Sequence, residues 1–148
     1  MVIRQLSCKR RGATAVETAL VLIPVTMFIF GIFEYGFLLM NWNLLNNAAR
    51  EGCRYAIVNN TSATVSANVQ TVVSGFMAGE SKNFNSFTVT VSGTHQGVST
   101  PVNNLVAGDL ITVTVSGQYR FLNIIPLAKL PTTMPITSAS VMVCEGAT

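Results

Sequence analysis

The sequence predicts an α+β chain: a long N-terminal transmembrane helix, then a small head with one amphipathic helix and an antiparallel sheet of three or more strands. Three observations predict it. Residues 18–33 form an apolar run without a single charge. Val65, Val69, Val72, Val73 and Phe76 fall at helical spacing. Residues 87–93 and 110–117 alternate apolar and hydroxyl side chains with period two, and share the string Thr-Val-Thr-Val-Ser-Gly.

The long helix comes first. With its flanks out to Val16 and Tyr35 the run reaches 20 residues. At ~1.5 Å per residue that is ~30 Å, the thickness of a bilayer's hydrocarbon core. Pro24 and Gly31 lie inside it, and membrane helices tolerate both. Arg4, Lys9, Arg10 and Arg11 precede it, and no acidic residue comes before Glu17. This charge bias places the N-terminus in the cytoplasm and everything after Met40 outside. A secretory signal has a shorter apolar core and a small-x-small exit. Here the exit is the bulky Phe33-Glu34-Tyr35-Gly36-Phe37-Leu38-Leu39. Tyr35 and Trp42 suit an aromatic belt at the outer interface.

Beyond the membrane the helix continues over residues 37–58, with Leu45, Ala49, Cys53 and Ala56 on one face. Asn59-Asn60-Thr61-Ser62 reads as a stop and restart. Ser62 is placed to cap the second helix, Val65–Phe76, and Gly79 to end it. A third strand is expected over residues 136–144. Residues 94–107 read as a polar loop with room for a short strand. Residues 119–135 read as an apolar loop containing Pro126, Pro131 and Pro135. The second helix and the end of the long one are the candidates to cover the apolar face of the sheet.

Gly12 with Glu17 five places on, behind a basic leader and before an apolar helix, resembles a type IV prepilin peptidase site. Three longer segments resemble the TadE family, the pseudopilins of the tight-adherence (Flp) pilus. They are Arg11-Gly12-Ala13-Thr14-Ala15-Val16-Glu17, Gly31-Ile32-Phe33-Glu34-Tyr35-Gly36 and Asn47-Ala48-Ala49-Arg50-Glu51-Gly52-Cys53-Arg54-Tyr55-Ala56. The resemblance covers about the first 57 residues, and more loosely the segments 107–115 and 136–140. Cys53 departs from it, where the family often has a small residue, and so does Phe37, where an arginine is usual.

The resemblance implies cleavage after Gly12. Residues 1–12 would be a cytoplasmic leader, 13–58 the transmembrane and extended helix, and 59–148 the exported head. Arg11, Gly12, Ala13 and Glu17 would form the processing site. The Glu17 carboxylate would then face the amine of a neighbouring subunit's first residue; the other reading leaves it solvated at headgroup level, or paired with its own amine. Glu34 stands at the outer interface, either as an interfacial residue or as a contact with another subunit. The implied role is a minor pseudopilin or assembly component of a Flp-type pilus, since major Flp pilins are much shorter. The implied partners are prepilin peptidase, other pilin or pseudopilin subunits, the assembly machine and membrane lipid. The implied location is the inner membrane, with the head in the periplasm or outside the cell. The alternative is an unprocessed, single-pass, membrane-anchored protein-binding domain.

Charge and cysteine usage follow from the leader. The chain of 148 residues is 49% hydrophobic and 10% charged. The leader holds four of the nine basic residues and none of the six acidic ones, so the mature chain has five against six, a net of −1. The basic isoelectric point therefore belongs to the leader, and no nucleic-acid partner is expected. Cys8 would leave with the leader. Cys53 and Cys144 remain, either as one disulfide closing a loop of about 90 residues or as two buried thiols acting as small hydrophobes. No catalytic site, cofactor, metal site or small-molecule substrate is expected. His95 and Asp109 lack the context of a hydrolase motif, and His95 reads as an exposed loop residue.

Overall fold

The computed structural model describes residues 11–77, 79–121 and 132–145, with Arg11 described by its backbone alone. Residues 1–10 of the expected leader, Cys8 among them, and Pro126 and Pro131 lie outside the described residues. Helix α1, Arg11–Val58, is followed by α2, Val65–Phe76. A 3-10 turn, Glu80–Asn83, leads into strands β1 (Phe84–His95) and β2 (Val98–Thr100). A second 3-10 turn, Val102–Asn104, precedes β3 (Leu110–Arg120) and β4 (Thr133–Val143).

α1 has two halves with different surroundings. Residues 13–33 are exposed almost all round, with Val16, Leu20, Phe28 and Ile32 each at least 69% exposed. No other described element covers them. From Glu34 onward one side turns inward: Leu38, Asn41, Leu45, Ala48, Ala49, Gly52, Cys53 and Ala56 recur at steps of three and four. That is the face-forming spacing of a helix packed on one side. The chain thus joins a bare apolar rod to a helix that forms one wall of the head.

The sheet has the order β2-β1-β3-β4, with every neighbouring pair antiparallel. Its inner face carries Val89, Ile111, Val113, Val115, Tyr119 and Ile136, all buried. α1 packs across β3 and β4, while α2 packs against α1 and β1. The outer face is largely hydroxylic, with cross-strand rows such as Thr88, Ser116 and Thr137. This one-sided burial follows directly from the period-two pattern. Gly52 sets the distance between the two helices. A β-carbon there would lie 2.8 Å from Val73 Cγ2 and 3.2 Å from Val113 Cγ1.

The strands run further than the alternation indicates. β1 begins at Phe84 rather than Phe87, because a bulge breaks its period. Ser86 and Phe87 together oppose the single residue Gly117, and Ser86 takes a φ of 57°. The segment read as a polar loop opens with a tight hairpin: His95 pairs with Val98 across Gln96-Gly97, both at positive φ. That is the backbone of a type I′ turn. Pro135, expected in a loop, lies inside β4 opposite Gln118. β4 is an edge strand, where a residue without an N–H is tolerated.

Candidate functional site

Two regions of α1 carry the residues singled out by the sequence. At its start, Gly12, Ala13 and Glu17 are exposed, and a β-carbon on Gly12 would meet nothing within 4 Å. Packing therefore places no demand on that glycine. Ala13 and Glu17 stand four residues apart, on one face of the helix. Hydroxyls in the apolar run are satisfied within the helix: Thr18 donates to the Thr14 carbonyl at 2.8 Å and Thr26 to the Leu22 carbonyl at 2.9 Å. Such internal pairing is what a helix in lipid needs. By length and composition the helix is a candidate single-pass membrane anchor.

At the other end of the exposed run, Glu34 meets the head. Its carboxylate accepts a hydrogen bond from the Tyr119 hydroxyl, on the inner face of β3. Burial, and then the Glu34 charge and hydrogen bond, push the Tyr119 phenol above its ordinary range. Tyr119 also packs edge-on against Phe121 (5.4 Å between ring centroids) and Phe84 (6.3 Å). The boundary between rod and head is therefore a polar contact set in an aromatic cluster. Sequence reasoning missed this partner, because Glu34 and Tyr119 are brought together only by the packing of α1 on the sheet.

The structure also joins two residues that the sequence left apart. His95, the last residue of β1, lies with Nδ1 2.6 Å from Asp109 Oδ1. Asp109 is only 6% exposed, and its Oδ2 accepts a bond from the Val106 N–H at 2.8 Å. That backbone donor, with the His95 contact, holds the Asp109 carboxyl below the usual range, while burial opposes the shift. The expectation of His95 in an exposed loop is corrected: it closes β1 and is pinned by a buried carboxylate. The pair clasps the β1–β3 corner, joining the end of β1 to the turn before β3.

Cys53 and Cys144 are both buried and both free, so the disulfide arrangement is not the one formed here. The two elements do pack together, but the sulfurs lie at different heights. Cys53 Sγ donates to the Ser140 carbonyl at 3.0 Å. Cys144 stands four residues beyond Ser140, just past the end of β4. Its sulfur instead accepts from Asn60 Nδ2 at 3.7 Å. Burial pushes the Cys53 thiol above its ordinary range. Among the described residues no group of three or more His, Cys, Asp or Glu is placed to hold a metal ion.

The apolar rod, the small-residue face that follows it and the Gly52 approach all lie in one continuous stretch. The model of the family described as TadE-like protein matches residues 12–54. Over this stretch the chain is TadE-like. The TadE-like segment begins at Gly12 and runs through the wall of the head as far as Arg54. With the apolar helix it fits a component of the Tad pilus. Neither the curated proteins nor the solved structures contain a match to the chain.

Proposed function

We propose that the chain is a minor pseudopilin or assembly component of a tight-adherence pilus, matured by prepilin peptidase after Gly12. The observation that carries this reading is the TadE-like match, which starts at Gly12 and covers the whole exposed rod. On this reading residues 1–12 are a cytoplasmic leader, 13–58 the transmembrane and extended helix that anchors the chain in the inner membrane, and 59–148 the exported head. Cleavage frees an ammonium on Ala13. Glu17 then supplies the carboxylate that pairs with the amine of a neighbouring subunit, since each charge is costly in lipid alone. The exposed sides of Leu20, Phe28 and Ile32 provide the surface on which helices of neighbouring subunits pack, in place of lipid.

A Gly12→Val chain tests this directly. Its β-carbon enters open space, so the fold is expected to be unaffected. Intact-mass analysis of the wild type should give a chain beginning at Ala13, while the variant keeps its leader and supports no pilus. An unchanged mature mass together with normal pili in the variant would leave the unprocessed membrane-anchored domain as the better reading.

A further inference from the structure

Beside the Glu34–Tyr119 contact, a cavity of about 580 Å³ opens between the stem of α1 and the end of the sheet. Phe37, Tyr119 and Phe121 give it an aromatic wall, and Asn83, Lys82 and Arg120 a polar one. Its height is set by α1. Phe37 is three residues beyond Glu34, ~4.5 Å along the axis, just past the last residue of the exposed apolar run. The cavity therefore faces the level of the outer headgroups if α1 spans the bilayer.

Its charge is uneven in a way that points to a ligand. The described head has four basic side chains, Arg50, Arg54, Lys82 and Arg120. Arg54 pairs with Glu51 at 3.6 Å. Arg50 and Arg54 lie 16 and 20 residues beyond Glu34, ~24 and ~30 Å further from the membrane. Lys82 and Arg120 line the cavity, and among the described residues neither forms an ion pair. No carboxylate is among the described residues that line the cavity; Glu34 interacts with Tyr119, and Glu80 with the Asn83 side chain. Two cations that form no ion pair among the described residues, beside three aromatic rings at headgroup height, match a phosphate with a glycerol and acyl chain beneath it.

We propose that this cavity binds the phosphate headgroup of an anionic phospholipid from the outer leaflet, so that the head is seated on the membrane as well as tethered to it. The proposal rests on the single-pass membrane reading. The test uses the full chain in nanodiscs of phosphatidylcholine mixed with phosphatidylglycerol, released into a mass spectrometer under native conditions. Phosphatidylglycerol should be retained in preference to phosphatidylcholine. Lys82→Ala or Arg120→Ala should each lower that preference about fivefold, and the double variant should approach parity. Arg50→Ala should leave it unchanged. The pair Lys82→Arg with Arg120→Lys, which keeps both charges, should retain it and guards against loss through misfolding.

Equal retention of the two lipids by the wild type overturns the proposal, as does a loss in Arg50→Ala equal to that in the cavity variants. Displacement of the lipid by inorganic phosphate, but not by chloride at matched ionic strength, assigns the cavity to a free anion and overturns the lipid. Failure of the membrane reading is separate: the chain would then be extracted from liposomes by alkaline carbonate. A chain that resists extraction yet shows no lipid preference sinks the cavity proposal alone.

Discussion

Asp109 ties several parts of the head together. Its side chain accepts from Val106 N–H and contacts His95, its carbonyl accepts from Cys144 N–H at 2.7 Å, and its own N–H donates to the Val106 carbonyl. One residue thus closes a turn and fastens the ends of β1 and β4. Because its folded carboxyl titrates below the unfolded value of about 3.9, the stabilisation it gives is present above that value. It is lost as pH falls through the lower folded value. Asp109→Asn is therefore expected to lower the thermal midpoint at neutral pH, with the gap to wild type closing as the pH is taken below 4. A constant gap across that range would show that the charge contributes nothing. At the same scale, Cys53 and Cys144 should resist alkylation in the folded chain and react fully in denaturant, as counted by mass shift. The residue scale is also where the sequence was least legible. The Asp109–His95 contact depends on the β1–β3 register, and the height difference between the two cysteines depends on where β4 sits against α1. Neither leaves a local trace in spacing.

Elements were more legible than contacts. The bounds of α2 follow from Val65, Val69 and Val73, whose spacing has one solution that buries all three. The cores of β1 and β3 follow from the hydroxyl–apolar alternation. What escaped were departures from ideal period: the bulge at Ser86, the Gln96-Gly97 hairpin without the usual Asn-Gly signal, and a proline inside an edge strand. The two helices approach each other closely at Gly52. Gly52→Ala would force a methyl to within 2.8 Å of Val73, and overpacking of this kind typically costs about 1–3 kcal/mol. Denaturant unfolding of the head should show the loss, and Gly52→Ala combined with Val73→Ala should recover part of it. For the rod, Glu17→Gln should leave leader removal intact and impair assembly, read by mature mass and by pilus counts on the same cells. Normal pili would mean that the carboxylate has no part in joining subunits.

At the scale of the whole molecule, the anchor and the head meet through Glu34 and Tyr119. Removing the hydroxyl in Tyr119→Phe should destabilise the head by about 0.5–1.5 kcal/mol, the net value of a typical hydrogen bond, while keeping the ring packed on Phe84 and Phe121. Unchanged unfolding would show that the aromatic packing alone sets the junction. The overall plan of rod, stem and covered sheet was visible from hydropathy, because the bare rod and the one-sided stem differ in which faces are apolar. The seat of the head on the stem was not, since it depends on a tyrosine 85 positions further along the chain. The same junction has a mechanical consequence. α1 runs as one helix from Arg11 to Val58, with Pro24 as the proline in its interior, and its upper half is built into the head. Above Pro24 no joint interrupts the shaft. A step of one residue in how the rod meshes with a neighbour, about 100° of turn, is delivered undiminished to the head. If α1 spans a bilayer as proposed, packing of the rod in the lipid would decide which side of the sheet looks outward.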